Sequence, residues 1–312
     1  MEKPIMRKTS LLLIAVSALT LAAPAMAHRQ WLLPSGTTFA GVNEWVAVDA
    51  AVSNDLFYAD HMPLRVDGVK VWAPDGTPGE ISNPALSHFR STFDVKLDKP
   101  GTWKIGTMSS GVMGSFKVDG VEWRVGGRGG PPAGGAQGEL AGGPRPAASP
   151  APMTAAPGGP ASPPRLSVPT VADIPAKATD IQLIETSNRN EIFVTAGAPT
   201  TNVLKPTGKG LEFVPISHPD ELVANEPARF AFLVDGKPAA NLKVTVVPGG
   251  KRYRDAEGAF DVTTGSDGVI TVKWPAAGMY WLNASLTDGK ATMPRATQRR
   301  MSYTSTLEVA AP

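Results

Sequence analysis

Hydrophobic and polar positions alternate along most of this chain, in short stretches punctuated by Gly, Pro, Asn and Asp. Before residue 126 these stretches fall at 29–39, 44–52, 70–73, 92–97, 103–108, 115–118 and 122–125. After residue 172 they fall at 180–185, 191–195, 211–215, 228–234, 243–247, 269–274, 279–286 and 305–309. A two-residue period rich in β-branched and aromatic side chains puts one face in a core and the other in water, so each stretch is predicted as a strand. Many short strands with turn residues between them predict an all-β protein of sandwich type. Outside the N-terminal apolar run, no stretch holds a helical period.

An internal repeat divides the strands into two modules. Val95-Lys96-Leu97-Asp98-Lys99-Pro100-Gly101-Thr102-Trp103-Lys104-Ile105 is an alternating strand, a Pro/Gly turn and an aromatic-led strand. Val272-Lys273-Trp274-Pro275-Ala276-Ala277-Gly278-Met279-Tyr280-Trp281-Leu282 repeats it, and Asp-Gly turns precede both, at Asp75-Gly76 and Asp267-Gly268. Two immunoglobulin-like or transthyretin-like β-sandwich modules are expected. Between the two repeats, residues 126–164 are mostly Gly, Pro, Ala and Ser. Such a segment buries too little apolar surface to offset the entropy of ordering it, so disorder is expected. The strands at 180–185 and 191–195 are too little for a domain and are assigned to the first module. The expected organisation is 28–203 for the first sandwich, including a disordered excursion at 126–172, and 204–312 for the second.

The first 27 residues change the picture of where the protein works. A basic start (Lys3, Arg7, Lys8) precedes an apolar run at 11–23, then Pro24 and the small-x-small motif Ala25-Met26-Ala27. This is the layout of a cleaved secretory signal peptide, and the run falls short of the roughly 20 residues that span a bilayer. Cleavage would leave His28 as the first residue of a periplasmic protein. The chain has no cysteine, which excludes disulfides, thiolate metal sites, a cysteine nucleophile and a lipid-anchoring cysteine. Of 30 basic and 28 acidic side chains, three basic and one acidic lie before His28, so the remainder is neutral. Nothing in that balance attracts nucleic acid or anionic lipid.

The mature chain resembles the DUF4198 family of exported bacterial proteins, some of which carry the label of nickel-uptake (NikM-like) components. The resemblance rests on His28-Arg29-Gln30-Trp31-Leu32-Leu33-Pro34, similar to a family start of His-x-x-Trp-Leu-x-Pro, and on Asp60-His61-Met62-Pro63 followed by Asp67-Gly68. The Pro-Gly-Thr-Trp turn and Leu211-Glu212-Phe213-Val214-Pro215 with Asp235-Gly236-Lys237-Pro238 extend it. It implies an envelope protein tied to transition-metal acquisition, with no established enzyme activity, and a partner in an inner- or outer-membrane metal transporter; the chain is accordingly expected not to be an enzyme.

An N-terminal histidine has its own chemistry. Its α-amino group and ring Nδ1 can chelate one ion, and a second histidine can complete a three-nitrogen set of the kind copper(II) and nickel(II) favour. The α-amino pKa near 8 means that a metal displaces a weakly held proton. Candidate partners are His61, His88 and His218. If 29–39 and 44–52 form a hairpin about Gly41-Val42-Asn43, the second strand returns to the level of residue 30. The following loop then brings His61 beside His28, with Asp60 and Tyr58 as neighbouring oxygen donors. His88 could reach the same edge. The expected metal set is His28, His61 and His88, and the expected function is capture of nickel or copper for uptake or homeostasis.

Two other readings remain open. One is an envelope scaffold without metal. The other is a copper-dependent oxidative enzyme built on an N-terminal histidine. Other chemistry finds no support. Asp255-Ala256-Glu257-Gly258 lacks the alternating ligands of a calcium loop, and no Gly-x-Ser-x-Gly elbow, P-loop or dinucleotide fingerprint is present. Arg295, Arg299 and Arg300 are read as solvating a late strand, and the seven tryptophans mostly as core anchors.

Overall fold

The computed structural model describes residues 28–126 and 166–312. The expected signal peptide and most of the Gly/Pro-rich segment lie outside the described residues. The described chain opens with β1 (Arg29–Pro34), β2 (Thr38–Phe39), β3 (Glu44–Ser53), β4 (Met62–Pro63), β5 (Val69–Trp72), β6 (Pro78–Gly79) and β7 (Ser82–Leu86). Then come β8 (Ser91–Leu97), β9 (Gly101–Val118), β10 (Val121–Val125), β11 (Ser167–Val168), β12 (Thr179–Ala196), β13 (Leu211–Pro215) and β14 (Pro227–Val234). It ends with β15 (Lys237–Pro238), β16 (Lys243–Pro248), β17 (Phe260–Thr263), β18 (Val269–Lys273), β19 (Gly278–Asp288) and β20 (Gln298–Val309). The only helical elements described are three single 3-10 turns. The protein is all-β, as its alternation requires.

Three sheets make two sandwiches. The largest runs β11-β10-β9-β12-β20-β19-β16-β17, with β2 on β12, β5 on β9 and β6 on β5. A sheet of order β1-β3-β8-β7, with β4 on β3, packs over one part of it, and a sheet of β13-β14-β15 with β18 over another. The first core joins Leu32, Val46, Val48, Phe93, Val95 and Leu97 to Trp103, Ile105, Ile192 and Val194. The second joins Phe213, Phe230, Phe232, Val272 and Trp274 to Val244, Leu282, Tyr303 and Phe193. Successive side chains of a strand point to opposite faces. In β12, Ile192 and Val194 therefore enter the first core while Phe193 enters the second.

The sequence repeat is a repeated crossing between sheets. β8 leaves the first small sheet and β9 enters the large one; β18 and β19 do the same from the other small sheet. Equivalent glycines start the second strand, Gly101 with φ +120° and Gly278 with φ +138°. These angles suit glycine and strain any side chain.

Three expectations about strands are revised. Stretch 29–39 divides into β1 and β2, because the chain breaks after Pro34 and β2 pairs in parallel with β12. Stretches 103–108 and 115–118 fuse into β9, and 180–185 and 191–195 into β12, each 18 residues long. Their polar middles resemble turns but pair with one another, Ser109 with Asn188 and Ser110 with Ser187, so the ladder satisfies their backbones. Residues 166–172, expected within the excursion, are folded in: Val168 and Val171 pack against the small cluster of Phe116, Val125, Ile174 and Leu183.

Polar groups are buried along the seam of the large sheet. Tyr303 donates to Glu191 at 2.9 Å, and Arg189 lies 3.4 Å from Glu212. Full burial holds the Tyr303 hydroxyl protonated, its pKa well above the ordinary value. Arg299, expected in solvent, is instead buried and bridges Asp235 and Asp288, each at 2.8 Å.

The equivalent glycines yield a paired test. A Cβ on Gly101 would meet Thr200 Oγ1 at 2.7 Å and the Pro74 Cβ at 2.8 Å, whereas one on Gly278 meets nothing within 4 Å. Gly278→Ala should cost roughly 1–3 kcal/mol from backbone strain alone. Gly101→Ala should cost more, read as a larger fall in the urea midpoint.

Candidate functional site

β1 and β3 pair antiparallel from Pro34↔Val48 to Arg29↔Ser53, so the end of β3 returns to the start of β1. The loop that follows is closed by Asp60, whose carboxylate accepts from the amides of Asn54 at 2.8 Å and Asp55 at 3.2 Å. The next residue, His61, then lies directly against His28: the two imidazoles stack with centroids 3.6 Å apart and planes 2° from parallel. His28 is exposed and His61 half-buried.

Beneath the pair is a satellite core of Trp31, Ala51, Leu56, Val247 and Trp281, drawn from both sandwiches. The Trp31 indole donates to Ser53 Oγ at 2.7 Å, and that hydroxyl donates to the Asp55 carbonyl at 2.6 Å, pinning the loop to the hairpin. Phe57 takes a left-handed φ of +62° and lays its ring edge-on to Trp31. Its ring also reaches the second sandwich at Gly249, where an added Cβ would sit 2.8 Å from it. The absence of a side chain at 249 is what admits the ring.

Charged and aromatic groups tie the two sandwiches together at this end. Arg29 makes a two-pronged contact with Glu257 and lies over the Trp281 ring, 5.4 Å from its centroid. Lys251 pairs with Asp55 at 2.8 Å, and the Arg252 guanidinium covers Tyr58 at 3.5 Å. The Tyr58 and Tyr253 hydroxyls lie 3.3 Å apart. Arg29 holds the Glu257 carboxyl below its usual pKa, and Lys251 does the same for Asp55. The Tyr58 phenol is pushed up by its hydrogen bond to Tyr253.

The other two histidines lie apart. His88 occupies the β7–β8 turn, at the same end of its sheet but beyond β3 and β8, with its ring edge-on to Phe89. His218 is buried: Nδ1 accepts from the Asp220 amide at 3.1 Å, which leaves Nε2 to donate to the Thr200 carbonyl at 3.1 Å. It joins the opening of the second sandwich to β9 through Thr102. Among the described residues, no three His, Cys, Asp or Glu side chains come together to hold a metal ion. The site is therefore a two-histidine pair. The parallel rings direct their lone pairs along separate planes, and a shared ion requires the exposed His28 ring to turn.

Sequence reasoning did not find the opposing wall of the site, formed by Trp281 and residues 249–258. A two-pronged Arg29–Glu257 contact separated by 228 positions leaves no local trace. Both carboxylates have depressed pKa values in the folded protein, so their stabilisation is complete above the ordinary carboxylate range near 4 and is lost as the pH falls below it. Acidification below about pH 4 should therefore alter the near-ultraviolet dichroism of Trp31 and Trp281. Glu257→Gln should show much of that change at pH 7 and lower stability by about 1–2 kcal/mol.

Among solved structures, the chain is similar to the D0–D1 domain of intimin, at 11% identity over 89% of this chain and 97% of that one, with a TM-score of 0.19. It is similar also to the human OSCAR ligand-binding domain, at 10% identity over 91% and 100%, with a TM-score of 0.18. Neither likeness carries an argument about function. No curated protein matches the chain. The family model described as "Domain of unknown function (DUF4198)" matches residues 25–288, a span that takes in the His28–His61 pair and reaches the end of β19. The chain is a member of the DUF4198 family.

Proposed function

We propose that this protein captures a transition-metal ion, copper(II) or nickel(II), in the periplasm at a site formed by His28 and His61 once the signal peptide has been removed. The observation that carries the proposal is the 3.6 Å stack of these two rings. Two imidazoles 33 positions apart meet at a rim where a whole loop is pinned to bring them together.

Cleavage before His28 adds the third nitrogen. The freed α-amine and the His28 ring chelate one ion, and His61 supplies the third donor after a turn of the exposed His28 side chain. All three donors are nitrogen, a set that suits copper(II) and nickel(II) over calcium or magnesium. The half-buried His61 is held by the Asp60 turn, and the mobile partner is the terminal residue, whose rotation disturbs nothing in the core. His88 has no part in this site. The role we propose for the pair is binding of the ion and its delivery to a membrane transporter.

The test compares a chain that begins at His28 with one that carries an extra N-terminal Met. Calorimetry with copper(II) and with nickel(II) should give one ion per chain for the first and affinity at least about tenfold weaker for the second. His61→Ala should weaken the first by about tenfold or more while leaving thermal unfolding of the metal-free protein unchanged. Equal affinity of the two termini would overturn the proposal.

A further inference from the structure

Away from the histidines, the large sheet and the loop that opens the second sandwich enclose a groove of about 650 Å³. Its wall follows from register. β5 pairs with β9 at Lys70↔Gly106, and β9 with β12 at Met108↔Arg189 and Ser110↔Ser187. Counting in twos along each strand places Lys70, Met108, Ser110, Ser187 and Arg189 on one face. The facing wall is the loop from Thr207 to Gly210, which presents Lys209.

Three features give this groove a chemical character. No carboxylate lines it. The ammonium groups of Lys70 and Lys209 have neither an ion-pair nor a hydrogen-bond partner among the described residues, and the Ser110 and Ser187 hydroxyls are equally free. By contrast Lys99, Lys117, Lys177, Lys243 and Lys251 each pair with an aspartate within 2.8 Å.

The loop itself is rigid and already attracts negative charge. The buried Glu212 carboxylate accepts from the amides of Thr207 and Gly208, each at 2.7 Å, from the Lys209 amide at 3.2 Å and from the Thr207 hydroxyl at 2.7 Å. Arg189 donates to the Lys209 carbonyl at 2.8 Å from the sheet side. The backbone donors are thus satisfied internally, and Arg189 is balanced by Glu212. What remains for a ligand is two lysine charges and two hydroxyls, beside the exposed thioether of Met108.

We propose that this groove binds a small organic oxyanion, a carboxylate- or phosphate-bearing molecule whose charged groups meet Lys70 and Lys209 while its carbon skeleton lies against Met108. The volume falls within the usual range for small-ligand pockets, and charge-assisted hydrogen bonds from lysine and serine are the stronger kind. The site is independent of the metal reading: it shares no residue with His28 or His61.

The experiment is calorimetric titration of the metal-free full chain, at low salt, with citrate and separately with glycerol phosphate. One ligand per chain, with Kd below about 1 mM, is expected for at least one of them. Binding of citrate alone assigns a polycarboxylate, and binding of glycerol phosphate alone a phosphate ester. Lys70→Ala and Lys209→Ala should each weaken binding by about tenfold, while Lys273→Ala, on the exposed side of β18, leaves it unchanged. All three should keep the wild-type melting temperature. Failure of both ligands to bind, or equal weakening by Lys273→Ala, would overturn the proposal, as would wild-type affinity in the two groove variants.

Discussion

The architecture depends on a single strand whose second half has no solvent face. From Arg189 to Ala196 every residue of β12 is buried, with Ile192 and Val194 committed to one core and Phe193 to the other. A strand of a simple sandwich has one apolar face and one wet one. β12 has two apolar faces because it is where the sandwiches meet, with β9 on one side and β20 on the other. Some of the polar groups stranded there pair with one another, and Tyr303, Glu191, Arg189 and Glu212 form one buried cluster.

The histidine rim and the oxyanion groove are both products of that fusion. At one end of the seam, β1 lies close enough to the second sandwich for Arg29 to reach Glu257 and for the Trp281 indole to donate to the Gln30 carbonyl at 3.1 Å. The start of β1 is thereby fixed, and with it the backbone that carries the exposed His28 side chain. Further along, the loop opening the second sandwich folds back over the continuing ladder of β9 and β12 and creates a wall opposite Lys70. Neither site belongs to one sandwich alone. Free-standing modules would leave a frayed N-terminus in one place and an open sheet face in the other.

How much of this was legible in the sequence follows from the range of each interaction. Period-two alternation gave the strands, and the repeat at 95–105 and 272–282 marked the paired sheet crossings. The approach of His61 to His28 followed from hairpin geometry alone, since both histidines are anchored by adjacent strands. Local composition misled where long ladders replaced turns: Ser109, Ser110, Asn188 and Asn190 look like turn residues but lie mid-strand, held by their cross-strand partners. Arg299 looked like a solvated charge because its partner Asp235 lies 64 positions away. The double duty of β12 was invisible for a similar reason. Alternating buried side chains read the same whether the other face meets water or a second core.

The position of β20 has a consequence for the order in which this molecule can be built. β20 is inserted between β12 and β19, pairing with β12 from Ile184↔Gln298 to Ile192↔Thr306. The middle of the large sheet is therefore completed by a segment that lies far along the chain from the strand it pairs with. Until that segment pairs, β12 has an open edge, and its Phe193 face awaits Tyr303 and Leu307. Contacts of such high sequence separation make folding slow. Neither sandwich can therefore close on its own, because the strand that completes the sheet they share must bring both together.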